Sequence, residues 1–213
     1  MEKIKNTLLV GILIISNAMI TTNAIAQAKQ WKTDVVDKGK ISVKSLISER
    51  KEGDKTLPLI EYIATTVENV NYQKCILTIK DVSEHNQFLD LKTNFLVKKI
   101  NENESVIYYC FSAPWPFSPT DCVAKMIFEE DKIKKTAVFT LTCAPFLYQS
   151  TDYLRFKYYH KVYTFKDLGN GKVEITINAK MSPPVSIPLW LIRSGFPDIA
   201  ADIIRKFVLM VKY

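Results

Sequence analysis

The sequence contains little glycine and little histidine. Only six of its 213 residues are glycine, and neither GxGxxG nor GxxxxGK[ST] occurs, which argues against a glycine-loop nucleotide site. The two histidines, His85 and His160, lie far apart without cysteine or carboxylate neighbours at metal-ligand spacing. No Ser–His–Asp or Cys–His set is visible, and Ser118 lacks the glycine-flanked turn of a nucleophile. We therefore predict no metal, no cofactor and no catalytic residue.

The rest of the composition is that of an ordinary folded domain. Hydrophobic residues make up 47% of the chain and charged residues 24%, which excludes a disordered or collagen-like protein. The net charge is +7, but the basic residues are scattered and form no basic–aromatic stripe, so we expect no nucleic-acid partner. A solvated surface explains these residues. Transient attraction to an anionic membrane surface is the alternative.

Residues 1–26 have the pattern of a secretory signal peptide. Lys3 and Lys5 precede an apolar run, and residues 24–26, Ala-Ile-Ala, form a small-x-small cleavage site. We predict cleavage near Ala26, export to the periplasm or the extracellular space, and a single domain over residues 27–213. A retained membrane anchor is the alternative, although the apolar run is short for a bilayer span.

Export bears on the four cysteines, Cys75, Cys110, Cys122 and Cys143. An even number of cysteines in an exported protein is compatible with disulfides, and four cysteines allow three pairings. Cys122 and Cys143 fall on apolar faces of neighbouring predicted strands, and Cys110 and Cys122 flank a proline-rich loop, so either pair could meet. Buried free thiols are the other interpretation, and we favour it.

Hydrophobic periodicity predicts two strands, a helix, a series of antiparallel strands and one long C-terminal helix. The strands are expected at residues 41–50, 59–66, 92–100, 105–112, 122–130, 134–143, 153–166 and 173–181. The first helix is predicted over residues 67–82 with Thr66 as its N-cap, and the last over residues 192–210. The Asn170-Gly171 pair is typical of a tight hairpin turn.

These elements indicate an α+β domain. A long helix with a wide apolar face needs a surface to cover, and the simplest such surface is a curved antiparallel sheet. A sheet curved around one helix encloses a space. That space is a core if side chains fill it, and an apolar ligand cavity if they leave it partly open.

One segment carries a more specific pattern. A Tyr-Tyr pair, a Pro-Trp-Pro loop followed by serine, and an aspartate before the next strand are formed by Tyr108, Tyr109, Pro114, Trp115, Pro116, Ser118 and Asp121. Residues 187–191, Ile-Pro-Leu-Trp-Leu, open the predicted last helix. Together these features resemble the steroidogenic-acute-regulatory-related lipid transfer (START) family. The resemblance implies a helix-grip fold and a cavity under the C-terminal helix that binds a lipid or other hydrophobic small molecule. Transport of that ligand is a further expectation.

The resemblance also implies a set of ligand-contacting residues. They are Tyr109, Trp115, Phe117, Asp121, Arg155, Trp190, Phe196, Ile203 and Phe207. The loop aromatics could instead plug the edge of the sheet, and the helix residues could be ordinary core. Arg155 could instead be exposed, because the more apolar face of its strand is formed by Leu154, Phe156, Tyr158 and Val162. In that interpretation Lys161 belongs to the solvated basic surface.

Two positions depart from the family pattern. Thr120 stands where the family usually has an arginine, and the position of the matching carboxylate in some members falls near Thr93. Replacing one member of a buried ion pair would leave the other charge buried without a partner, at a cost of about 3–5 kcal/mol. Replacement of both members together avoids that cost. We therefore expect hydroxyls in the cavity in place of a charge pair.

The resemblance favours a binding protein that is not an enzyme, and we expect a monomer. A cyclase- or aromatase-like enzyme that uses the same cavity is one alternative, and it would need a general acid or base inside the cavity. A packed domain that acts through a protein-interaction surface is the other.

Alkylation of the denatured protein checks the interpretation of the cysteines. If all four thiols are free, an alkylating reagent adds four adducts whether or not the protein is first reduced. Mass spectrometry of the intact protein counts the adducts. A mass shift that appears only after reduction would demonstrate a disulfide.

Overall fold

The computed structural model of the chain describes residues 30–113 and 117–212. The predicted signal peptide and Trp115 lie outside the described residues. The strands and helices follow in the order β1 (Lys32–Val36), β2 (Ile41–Glu52), β3 (Lys55–Asn69), α1 (Tyr72–Lys80), β4 (Leu91–Asn101), β5 (Glu104–Phe111), β6 (Thr120–Asp131), β7 (Thr136–Cys143), β8 (Leu154–Arg155), β9 (Tyr158–Gly169), β10 (Lys172–Ser182), α2 (Leu189–Gly195) and α3 (Asp198–Val211).

The strands form one sheet of ten in the order β1-β2-β3-β10-β9-β7-β6-β5-β4, with β8 attached to β6. Neighbours along this path pair antiparallel, whereas β8 pairs parallel to the start of β6. The curved sheet buries its inner face against α1 and α3 in one large apolar cluster. The predicted α+β architecture, a curved antiparallel sheet closed by C-terminal helices, is confirmed.

Strand β10 shows why the central sheet was predictable. Its inward side chains Val173, Ile175, Ile177 and Ala179 are buried and alternate with polar residues, the period of a strand with one covered face. Both of its edges pair, with β3 and with β9. The preceding Asn170-Gly171 pair has positive φ at both residues, as a tight hairpin turn requires.

The first helix begins later than predicted. Strand β3 continues to Asn69 because its last residues pair with β10, so Thr66 lies in a strand, where its hydroxyl donates to the carbonyl of Lys40. Asn71 is the actual N-cap, and its side chain accepts from the backbone N–H of Lys74 at 3.0 Å. Pairing across the sheet therefore overrides the helical spacing of the apolar residues before position 72.

The C-terminal helix is not continuous, which corrects the prediction of one long helix. Helix α2 ends before Phe196, and α3 starts after Pro197, whose ring removes a backbone donor that a continuous helix would need. Helix α3 buries Ala200, Ala201, Ile204, Phe207, Val208 and Val211. The buried face is thus rotated from the predicted one, and Ile199 is exposed.

The predicted strand at 153–166 is also divided, between β8 and β9. Phe156 and Tyr159 are both buried although they differ in parity, because residues 156–157 interrupt the strand and shift its phase. The inward residues of β9 are Tyr159, Lys161, Tyr163 and Phe165. The predicted apolar face was therefore wrong along β9, and the placement of Lys161 on the solvated surface was wrong with it.

An ion pair on the outer face of the sheet holds this junction. Arg155 donates from Nε to Oδ1 of Asp121 at 2.9 Å and from Nη2 to Oδ2 at 2.7 Å. Its remaining donors reach the backbone carbonyls of Pro145, Tyr148 and Gln149. The side chain of Asp121 is fully buried and that of Arg155 is 15% exposed. One arginine thus joins β6, β8 and the connection between β7 and β8.

Asp121→Asn is expected to lower the free energy of unfolding by about 3 kcal/mol, because it leaves a mostly buried guanidinium without its carboxylate. Burial raises the pKa of Asp121, but hydrogen bonds from Arg155 and Thr151 outweigh it and hold that pKa below its ordinary value. Wild type should therefore lose this stabilisation as the pH falls below about 4, and the variant should lack that loss. Urea unfolding at pH 7 and pH 3.5 measures both.

A second bidentate pair supplies the control. Arg205 donates from Nε and Nη2 to Asp37 at 2.7 and 2.9 Å, the same geometry at a solvent-exposed position. Asp37→Asn should cost much less, since exposed ion pairs contribute little. Equal losses in the two variants would contradict the structural role given to Arg155.

Candidate functional site

A cavity of about 500 Å³ lies between the inner face of the sheet and the two C-terminal helices. Most of its wall is apolar. The sheet contributes Ile60, Phe111, Phe156 and Met181, the segment before α2 contributes Val185 and Ile187, and the helices contribute Leu191, Ile192, Phe196, Ile199 and Ile203. This volume lies within the range of about 300–1,000 Å³ that small-molecule sites occupy.

Packed aromatic rings close the inner end of the cavity. Phe88 lines it and meets Phe207 edge-on at 5.3 Å and Tyr163 edge-on at 6.3 Å between ring centroids. Phe207 in turn stacks on Phe165 at 5.3 Å. Phe207, Tyr163 and Phe165 do not line the cavity, so they form solid core behind its inner end.

Exposed residues surround the mouth. Ser112 and Ser118 lie on one side, and Leu191 and Ile199 on the other. Helix α3 adds Asp202 and Lys206, whose carboxylate and ammonium pair at 2.7 Å. The cavity therefore runs from a polar and apolar rim to an aromatic inner end.

The inward lysine of β9 supplies the one basic side chain deep in the described cavity wall. Lys161 is 2% exposed, and its ammonium lies 5.3 Å from the ring centroid of Tyr163. It pairs across the sheet with Leu141 on β7 and Ala179 on β10, neither of which offers a charge. Burial alone lowers the pKa of Lys161 to about 7.

Two tyrosine hydroxyls share this wall. Tyr62 on β3 and Tyr159 on β9 are buried, and within the described part of the chain neither hydroxyl has a hydrogen-bond partner. Burial raises the pKa of both, and for Tyr159 the nearby Tyr163, Tyr109 and Tyr62 raise it further. Such hydroxyls stay protonated at neutral pH and remain available as hydrogen-bond donors.

The predicted contact Tyr109 lies in the core behind the wall. Its hydroxyl bonds Nδ1 of the buried His85 at 2.5 Å, and Nε2 of His85 lies 2.9 Å from the carbonyl of Ile79. Because a carbonyl only accepts, Nε2 carries the proton and Nδ1 accepts from Tyr109. Burial lowers the pKa of His85 to about 4, so it is neutral at physiological pH. This pair has its hydrogen bonds satisfied within the protein.

The structure separates the predicted contact residues into groups. Those that line the cavity are Phe117, Phe196 and Ile203. Tyr109 and Phe207 are buried but lie behind the wall. Asp121 and Arg155 pair on the opposite face of the sheet, away from the cavity. Trp190 is 69% exposed and points away from the lining, and Trp115 lies outside the described residues.

Only one of the two threonine hydroxyls expected in the cavity lies there. Thr120 is buried and lines the cavity, whereas Thr93 is exposed on β4 and does not. The cation that sequence reasoning missed is Lys161. The signal was present in the aromatic residues at 159, 163 and 165, which alternate with polar residues and place position 161 on their face.

The described residues contain neither a cluster of metal ligands nor a membrane-spanning helix. Within residues 30–113 and 117–212, no three His, Cys, Asp or Glu side chains cluster as metal ligands would. None of the helices in those residues combines the length and apolar character needed to cross a membrane.

Comparison with known proteins identifies the fold. No protein-family model and no curated protein matches the sequence. Among solved structures, the chain is similar to a STAR-related lipid transfer protein from Xanthomonas axonopodis, with a TM-score of 0.68, 21% identity, and coverage of 83% of this chain and 96% of that one. Human STARD10 gives 0.68 at 18% identity, covering 85% and 72% of the respective chains. Human StAR-related lipid transfer protein 5 gives a TM-score of 0.64 at 15% identity, with coverage of 87% of each of the two chains.

The chain therefore has the helix-grip fold of START domains, as the Pro-Trp-Pro segment led us to expect.

Lys161→Met is expected to remove a pH dependence of stability. The pKa of Lys161 is about 7 in the folded protein and about 10.4 for an unperturbed lysine in the unfolded chain. Between these values the unfolded state binds more protons, so the free energy of unfolding rises with pH by up to about 1.4 kcal/mol per unit. Urea unfolding of ligand-free protein at pH 7.5 and 9 measures the difference between wild type and variant.

Lys206→Met, at the exposed rim, is the matched control and should keep the wild-type slope. Equal slopes in wild type and Lys161→Met would mean that Lys161 stays charged in the folded protein, contrary to its burial.

Proposed function

We propose that this protein binds a lipid or other hydrophobic small molecule in the cavity between the sheet and the C-terminal helices. The observation that carries the proposal is a mostly apolar cavity of about 500 Å³, in whose wall the buried hydroxyls of Tyr62 and Tyr159 have no partner in the described protein. Apolar burial at about 25 cal/mol per Å² would supply the affinity. The similarity to lipid transfer proteins of known structure supports the same conclusion.

The proposal includes loading at a membrane surface. Trp190 and the rim residues Leu191 and Ile199 expose apolar side chains near the mouth. Aromatic and aliphatic side chains of this kind partition into the interfacial layer of a bilayer, and the net charge of +7 favours anionic lipids. Transient contact there would let a ligand pass between membrane and cavity without crossing water.

Export is part of the proposal and rests on the sequence of residues 1–26 alone. An exported lipid-binding protein would carry its ligand outside the cytoplasm. Mass analysis of the protein recovered from its source would locate the cleavage site.

An enzyme is the second candidate, and Lys161 is the observation that favours it. A lysine with a pKa near 7 in a cavity suits a general base or an imine-forming amine. The adjacent hydroxyls of Tyr62 and Tyr159 have raised pKa values, which makes them poor proton donors to a substrate at neutral pH. Binding without chemistry therefore fits the site better. A ligand recovered unchanged after prolonged incubation supports binding, and a transformed one supports catalysis.

Ile203→Trp is expected to reduce lipid uptake at least tenfold, because the larger ring occupies cavity volume. Ile203 lines the cavity from α3 and is half-buried, so the fold should survive. Native mass spectrometry after incubation with lipid vesicles measures the fraction of protein that carries a ligand.

Leu209→Trp makes the same change on the same helix, at an exposed position outside this cavity, and should leave uptake unchanged. Equal uptake by wild type and both variants would refute the cavity as the binding site.

A further inference from the structure

Three buried polar residues line the inner part of the cavity: Lys161, whose cross-strand neighbours Leu141 and Ala179 carry no charge, and Tyr62 and Tyr159, whose hydroxyls have no hydrogen-bond partner in the described protein. Each is at least 98% buried, since the exposed fraction of each side chain is 2%. An unsatisfied hydroxyl or ammonium in such a place costs free energy. A cluster of three on one wall is therefore expected to have a partner that the chain itself does not supply.

The sheet register brings the three groups together. Ala179 pairs with Lys161 on one side and with Tyr62 on the other. Lys161, Ala179 and Tyr62 therefore form a row across β9, β10 and β3. Ala179 has the smallest side chain of the row, so it separates Lys161 and Tyr62 without adding bulk between them. Tyr159 lies two positions before Lys161 on the same face of β9, which places its hydroxyl beside that row.

The row also marks the inner end of the cavity. On β9 the lining includes Tyr159 and Lys161 but not Tyr163, and on β3 it includes Tyr62 but not Ala64. Beyond the row lies the aromatic core. Toward the mouth, the lining is dominated by aliphatic and aromatic side chains of the C-terminal segment. A ligand that complements both parts of the cavity has a polar group at the inner end and an apolar chain directed toward the mouth.

Resting on the proposed function, we propose that Lys161, Tyr62 and Tyr159 bind the carboxylate of a single-chain amphiphile of the fatty-acid class, with its hydrocarbon tail toward α2 and α3. The ammonium opposes the charge, and the two hydroxyls donate to the carboxylate oxygens. Charge-assisted hydrogen bonds of this kind are about twice as strong as neutral ones.

The charges around the site favour a monoanion. Asp202 is paired with Lys206 at the rim, Asp90 is exposed at the mouth, and His85 is neutral. The nearby Tyr163 and Tyr109 are protonated at neutral pH, because burial raises their pKa values. Lys161 thus brings one unopposed positive charge, which a carboxylate matches. A phosphodiester would sit in the middle of a lipid, with bulk on both sides, and the closed inner end leaves space on one side only.

This arrangement makes binding depend on pH. In the empty protein Lys161 loses its proton above about pH 7. A bound carboxylate requires the ammonium, so binding takes up a proton above that pH, and the affinity falls by up to tenfold per pH unit. A ligand of the same length without the carboxylate gains nothing from the proton.

Dodecanoic acid and dodecanol are the matched probes, titrated into the purified full-length protein or its naturally processed form at pH 6.5 and 8.5. Wild type should bind the acid at least tenfold more tightly than the alcohol at pH 6.5, and most of that preference should be lost at pH 8.5. Lys161→Met should bind both probes alike at both pH values. Lys161→Arg, always charged, should prefer the acid at both, and Lys166→Met, which removes an exposed lysine of the same strand outside the cavity, should behave as wild type.

The outcomes separate this inference from the proposed function. If wild type binds acid and alcohol equally at both pH values, the carboxylate site is refuted while the cavity function stands. If neither probe nor a membrane lipid binds, the proposed function itself fails. Dodecyl phosphate is the third probe, and a tighter, Lys161-dependent affinity for it than for the acid would overturn the assignment to a carboxylate. If Lys161→Met does not fold, the Lys161→Arg result decides.

Discussion

The ion pair between Asp121 and Arg155 anchors the point at which the chain enters the central strands of the sheet. It holds β8 against β6, and the carbonyls that Arg155 also binds fix the connection from β7. Strand β9 begins shortly after that anchor, and its side chains alternate from its first residue. The interruption at residues 156–157 directly follows this anchor, and the pairing of β9 with β7 and β10 then keeps Lys161 on the inner face.

The sheet was predictable where a strand carries its own pattern. Strand β10 alternates from end to end. The adjacent tyrosines of β5 face opposite sides of the sheet: Tyr109 lies in the main core, and Tyr108 lies in a smaller apolar cluster with Val106, Cys110 and Val123. The phase of β9 was not predictable in this way, because the interruption at residues 156–157 and the pairing of β9 with β7 and β10 involve contacts between segments far apart in sequence. Sequence periodicity alone predicted one uninterrupted strand that contains Arg155, Phe156 and Lys161.

The candidate site shows the same limit. Phe196 and Ile203 were found because an apolar helix face that covers a sheet also covers any space beneath it. Phe207, one turn further, belongs to the same spacing but packs among Phe88 and Phe165. The point where open cavity gives way to filled core depends on how these rings meet. That point is a property of packing in three dimensions, which helical periodicity does not contain.

The break at Pro197 divides the cover of the cavity into an anchored part and a movable part. Helix α3 buries six residues in the core, whereas α2 buries Ile192 alone and is tied to β2 by one hydrogen bond from Arg193 to the carbonyl of Ile47. Displacing α2 would expose little apolar surface, and displacing α3 would open the core. Of the two helices that cover the cavity, α2 is therefore the one whose displacement costs less, and the core beneath α3 stays closed when α2 alone moves.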